Sequence, residues 1–260
     1  MQKIITLSLI LFSLQSFAFA SVMQGGVEKE HLLKANKLVE SSSNTPIANA
    51  KISLPLENYT TYTAADGTFN LNANINGQTV LAIEKAGYKP FTMTLAKEDL
   101  SKPIIVGIEK STPKDIIIEQ NLFHLGDNNF SDTSANAGEF KIESVGPFYS
   151  KTVKIDTIEQ GKKAYLTIGS IIGVDTLLAR QMGQNKITST YATPPQVFFN
   201  GQKIAEIQLN GDGQRIRIPN NIIKQNANNQ ITIKTGRNAL QTSHIDYDDI
   251  EIANIQIETY

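Results

Sequence analysis

The chain has 260 residues, with 24 Lys and Arg against 25 Asp and Glu, no cysteine and no tryptophan. A near-neutral charge without any Lys/Arg block argues against nucleic acid or an anionic membrane surface as partner, since both are bound through clustered positive charge. Without cysteine the protein is neither a disulfide-stapled scaffold nor a thiol-anchored lipoprotein, and buried cores must supply its stability.

Residues 1–20 carry Lys3, an apolar run from Ile4 to Leu14 and the small-x-small sequence Ala18-Phe19-Ala20. This is the pattern of a secretory signal peptide, and it is too short for a spanning helix of roughly 20 apolar residues. Export is therefore expected, to the periplasm, the cell surface or the medium, with no membrane insertion after cleavage. Residues 21–33 form an N-terminal segment in which Glu28 to Ala35 reads equally as a helical turn or a first strand.

Asn, Thr, Ile and Gly are frequent and long helical periodicity is nearly absent, which predicts an all-β protein. About 240 residues after the leader suggest two domains. Strands are expected at 37–39, 50–54, 59–63, 68–71, 79–84, 91–95 and 104–108, a spacing that suits a small antiparallel sandwich over 34–110. Pro113 and polar neighbours mark 111–114 as the linker. A second series follows at 116–119, 139–143, 149–155, 164–168, 186–191, 197–199, 204–209, 215–218, 230–234 and 250–258. Between 199 and 204, Asn200-Gly201 favours the φ > 0 geometry of a type I′ hairpin. In the last strand the apolar positions 250, 252, 255 and 257 change phase around Ala253-Asn254, which predicts a bulge in a strand at the sandwich centre.

Three sequences in the first series, Thr45-Pro-Ile-Ala-Asn-Ala50, Thr63-Ala-Ala-Asp66-Gly67-Thr-Phe69 and Lys85-Ala-Gly87-Tyr88, together resemble the carboxypeptidase regulatory-like, or transthyretin-like, family. That resemblance implies a spacer without catalytic residues. In the second series Phe123-His-Leu-Gly126-Asp127-Asn-Asn-Phe130, Phe148-Tyr-Ser-Lys-Thr152, Val197-Phe-Phe-Asn200-Gly201, Asn229 with Ile231 and Ile233, and Asp248-Asp-Ile-Glu251 through Asn254-Ile255 are similar to galactose-binding-like jelly rolls. The expected fold is thus two antiparallel β-sandwiches, a small transthyretin-like one followed by a galactose-binding-like jelly roll at 115–260.

With three histidines, no cysteine and neither Gly-x-Ser-x-Gly nor His-Glu-x-x-His, the sequence points away from an enzyme. Asp127, Asn129 and Asp132 form one oxygen-rich stretch, and Asp249 with Glu251 another. If the first and last strands adjoin, the two could converge on a structural calcium, which the jelly-roll resemblance also implies and which needs six to eight oxygen ligands. The alternative reading of these acids is a turn and a solvated strand entry. Tyr149, Arg180, Tyr191, Arg237 and His244 lie in or beside expected loops and suit saccharide hydroxyls and ring faces. The leading function is binding of carbohydrate or a cell-surface glycoconjugate. The alternatives are an assembly component whose jelly roll binds an envelope protein, and an accessory module of a hydrolase.

Overall fold

The computed structural model describes residues 35–131, 133–135, 140–185 and 189–260. The signal peptide, the segment 21–33, Asp132 and much of the expected strand 186–191 lie outside the described residues.

The protein is all-β. In the first sandwich a three-stranded sheet contains β1 (Asn36–Glu40), β4 (Thr68–Phe69) and β7 (Ile105–Ile108), and a four-stranded sheet contains β2 (Lys51–Leu54), β3 (Tyr59–Tyr62), β5 (Thr79–Glu84) and β6 (Phe91–Leu95). Strand pairs are antiparallel except β1 with β7. The core between the two sheets includes Leu38, Ile52, Leu54, Phe69, Leu81, Ile83 and Leu95, with Tyr88 packed against it. The Asp66-Gly67 turn forms because Gly67 adopts φ +79° and Asp66 accepts from both the N–H and the hydroxyl of Thr68.

The second sandwich stacks β10 (Phe148–Ile155), β15 (Ala227–Lys234), β12 (Gln196–Phe199) and β13 (Gln202–Glu206), in that order, on a five-stranded sheet. The latter runs β14 (Gly211–Ile218), β11 (Ala164–Ile172), β16 (Ile250–Thr259) and β8 (Ile116–Glu119), with β9 (Phe123–Leu125) also paired to β16. Phe199, Leu166, Ile168, Ile231, Ile233, Ile252, Ile255 and Ile257 meet between the sheets. The hairpin forms at Asn200-Gly201, with φ +49° and +81° and Phe199 opposite Gln202. The expected phase slip in β16 occurs at Asn254, whose φ is +59°. Described residues of the expected strand at 139–143 form no strand, and Thr190 and Tyr191 lie outside any strand beside Ala192, which bridges Thr176 and Asn238. Gly126 and Gly173 bring the backbone against Asp249, where a Cβ at Gly126 would lie 2.0 Å from Asp249 Oδ1.

Both sandwiches lie within one compact unit from Lys34 to Tyr260. Strand β6 crosses the outer face of β14, β11 and β16, where hydrogen bonds accompany a small apolar contact of Val80 with Ile172 and Ala253. Asn254 and Gln256 donate to the Pro90 carbonyl at 2.9 and 3.0 Å, the Thr94 N–H donates to Asp212 at 2.9 Å, and Lys89 pairs with Glu258 at 2.9 Å. Among the described residues no helix is long and apolar enough to cross a membrane.

Candidate functional site

Three regions of the second sandwich carry chemistry beyond packing. The first is acidic and buried. Pairing of β9 with β16 brings the Phe123–Phe130 stretch beside the terminal acids, so the two oxygen-rich sequences do meet. Much of their bonding capacity is taken by the protein itself. Asp127 accepts from the N–H groups of Asn129 and Tyr247, and Asn129 donates to Asp246. Asp249 Oδ1 accepts from His124 Nε2 at 2.7 Å and from the Asn128 N–H at 3.0 Å.

His124 also directs Nδ1 at the Ile142 carbonyl, 2.6 Å away. A carbonyl only accepts, so Nδ1 carries a proton. Burial works against a charged ring, but the bonds to Asp249 and Ile142 outweigh it and raise the imidazole above its ordinary range. Glu251 sits nearby with neither carboxylate oxygen hydrogen-bonded, and burial pushes it to about 7. Among the described residues no group of three or more His, Asp or Glu side chains is arranged to hold a metal ion.

The second region is the loop end. Helix α1 (Leu177–Gln181) is capped by Thr176, whose hydroxyl accepts the Ala179 N–H. It presents Arg180 at 5.3 Å over the Tyr191 ring, and the Ala239 N–H donates to the Tyr191 carbonyl. Arg237 is exposed and bridges Tyr247, and His244 is exposed with Nδ1 against Ser243. Arg180 and Tyr191 thus come together, with Arg237 reaching the same loops through the bond from the Thr193 N–H. Leu177, Leu178, Met182, Leu240 and Ile245 are exposed in these segments. Tyr149 lies elsewhere. It turns inward, stacked at 4.5 Å on Phe123, with its hydroxyl on Glu119.

The third region is the outward face of β10, β15, β12 and β13, which sequence reasoning passed over. Alternation sends Ile231, Ile233, Val197 and Phe199 into the core and leaves Gln230, Thr232, Lys234, Gln196 and Phe198 on the other side. The register aligns Phe148 with Lys234 and Gln196 in one row, and Ser150 with Thr232 and Phe198 in the next. Phe148 is 57% exposed, and Lys234 Nζ lies 4.9 Å from the centre of the half-buried Phe198 ring. Two strand spacings and one two-residue step along the strands set the two positions about 12 Å apart on this face. Their signal in the sequence was the Phe198-Phe199 doublet, of which only one member can face the core.

A cleft of about 550 Å³ between the sandwiches, lined by Lys89, Phe91, Met93, Asp212, Arg215 and Tyr260 among others, is more concave. Many of its polar groups are committed to joining the sandwiches: Asp212 accepts from Thr94 and Ser170, and Glu258 from Lys89, Thr167 and Tyr260. Those of the open sheet face are not so committed to a second element. No protein-family profile and no curated protein matches this chain.

Proposed function

We propose that the protein is an exported binding module that recognises carbohydrate through the outward face of β10, β15, β12 and β13, with the first sandwich as its spacer. The observation that carries this reading is the placement of Phe148 and Phe198 among Ser150, Thr152, Gln230, Thr232 and Gln196 on one solvent-facing surface. A pyranose offers an apolar C–H face to stack on an aromatic ring and a rim of hydroxyls that pair with hydroxyl and amide side chains. The spacing of about 12 Å between these positions suits separate residues of an extended glycan rather than one sugar. The resemblance to galactose-binding-like jelly rolls supports the same class.

A glycan array probed with the protein and with Phe198→Ala tests this. Retention of defined polysaccharides by the first and its loss in the second is the expected result. Silence of the folded wild-type protein on all glycans would remove the reading.

The exposed aliphatic side chains Leu177, Leu178, Met182, Leu240 and Ile245 favour a second reading, an assembly role in which the loop end docks another envelope protein. Cross-linking that captures one partner, lost on Met182→Glu with Leu240→Glu, would favour that role over glycan binding.

A further inference from the structure

Where β11 ends, the chain turns through Gly173 and Val174 to place Asp175 at the mouth of the second core. Asp248, immediately before β16, points to the same place because alternation sends it to the side of Ile250 and Ile252. Both residues are buried, at 1% and 0% exposure. Neither oxygen of the Asp175 carboxylate has a hydrogen-bond partner in the protein, and Asp248 Oδ1 has none. Asp248 Oδ2 accepts only a long bond, 3.3 Å, from the Asp175 N–H, which holds the two acids side by side. The Asn185 amide faces Asp175 as a donor without a well-formed hydrogen bond, and a half-turn of the amide would present its equally unpartnered oxygen instead.

Buried polar atoms are ordinarily bonded, and two adjacent carboxylates in a low-dielectric interior repel. This arrangement contrasts with Asp246 nearby. That residue is equally buried, but its carboxylate is satisfied by Ser134, Asn129, Ala135 and Asn238. It also differs from Asp249, whose Oδ1 is bonded to His124 and to the Asn128 N–H. Among the described residues no salt bridge reaches Asp175 or Asp248.

We propose that Asp175, Asp248 and Asn185 form a calcium-binding site that ties the loop end of the second sandwich together. The donors are all oxygens, which selects a hard cation, and two carboxylates balance a divalent charge. Magnesium demands a regular octahedron and keeps its waters, whereas calcium accepts irregular sets of carboxylate, amide and carbonyl oxygens. The site is separate from Asp127, Asn129 and Glu251, whose places on the His124 side of β16 were the calcium expectation from sequence. It would join the β11 exit to the β16 entry, across which the Asp248 carbonyl accepts the Thr235 hydroxyl and the Asp175 carbonyl accepts the Ala192 N–H. The competing device is a proton: burial pushes Asp175 to about 7 and Asp248 well above its ordinary value, so the pair could share one instead.

Thermal melting of EGTA-stripped protein with calcium chloride added back decides between them. At calcium well above the dissociation constant, the melting temperature rises by about 5 to 10 °C. The rise is absent in Asp175→Asn and in Asp248→Asn, and is kept in Glu251→Gln. Titration calorimetry of the stripped wild-type protein gives one site per chain. Asn185→Ala, the variant least able to disturb folding, weakens calcium binding several-fold. The proposal is overturned if calcium leaves the wild-type melt unchanged at neutral pH, if the rise survives in Asp175→Asn, or if it vanishes only in Glu251→Gln.

Discussion

Lys89→Met tests whether ion pairing holds the sandwiches together. The Lys89 ammonium lies 2.9 Å from Glu258, 3.0 Å from Glu109 and 3.5 Å from Asp115. Its side chain is 15% exposed, those of Glu258 and Asp115 are 12% and 9%, and Glu109 remains 65% exposed. Methionine preserves the length of the stem but leaves two poorly hydrated carboxylates without their cation. Removing one partner of a fully buried pair costs about 3 to 5 kcal/mol, and the residual hydration here reduces that to roughly 2 to 4 kcal/mol, or about 5 to 15 °C in melting temperature. The acid limb supplies a second readout. Burial raises the Glu258 carboxyl, yet bonds from Lys89, Tyr260 and Thr167 prevail and hold it below the ordinary range. A carboxylate lowered in the folded state contributes stability that is present above its unfolded value near 4.5, and this is lost as pH falls through the folded value. Urea denaturation from pH 7 to pH 3 should therefore show a shallower acid decline in Lys89→Met than in the wild type. Lys89→Met with Glu258→Gln should be less destabilised than the two single changes added together. A variant within about 0.5 kcal/mol of wild type at pH 7, with a parallel acid limb, would refute the reasoning, because that is the yield of a solvated surface pair.

Other outcomes follow from single positions. Phe199→Ala empties a fully buried site and should cost about 3 to 5 kcal/mol in urea denaturation, whereas Phe198→Ala, on the solvent side of the same strand, should cost less than about 1 kcal/mol. Equal costs would contradict the assigned facing of β12. Asn200→Ala loses a side chain that bonds the Ile222 carbonyl, Asn229 and the Gln230 N–H, at a residue with φ +49°. A loss of roughly 2 kcal/mol is expected, checked by equilibrium unfolding. A Cβ at Gly169 would lie 2.3 Å from Thr92 Oγ1 and 2.7 Å from Asn254 Cβ, both at the contact with β6. Gly169→Ala should lift β6 and speed proteolytic nicking at Ser111–Lys114, and an unchanged digestion rate would show that the contact yields without opening.

Strands were legible where β-formers cluster: 91–95 alternates with a two-residue period, 79–84 and 116–119 are short apolar runs rich in β-branched residues, and all three form as read. So was the Asn200-Gly201 turn, which depends on local backbone geometry alone. Phe123–Leu125 was not read as a strand, because three residues are too few to show a period and the polar His124 between the two apolar ones is buried as well. The range 139–143 alternates well enough, yet at Ile142 the carbonyl serves His124 rather than a ladder. Site residues were harder to read. Asp175 was overlooked because it is a lone acid in sequence, and its significance arises from Asp248, 73 residues away. Tyr149 looked suited to ligand contact, but a strand-end tyrosine faces whichever side the pleat dictates, and here that is Phe123.

Strand β16 shows why the outer face of a sheet resists such reading. Its inward residues Ile252, Ile255 and Ile257 are apolar, and its outward residues Asn254, Gln256 and Glu258 are polar, the ordinary signature of one wet face. Yet all three polar residues are buried, at 4%, 5% and 9% exposure. What covers them is β6, whose flanking Pro90 lacks an N–H and offers its carbonyl to both amides. Period-two patterning distinguishes apolar from polar surroundings but not water from a docked strand, because both satisfy the same hydrogen-bonding groups. The left-handed Asn254 adds to this fit, since the phase slip there turns its amide toward Pro90 while Ile255 returns to the core. The bulge predicted from sequence thus serves the junction between the sandwiches, which makes the first sandwich a fixed part of the platform carrying β10, β15, β12 and β13.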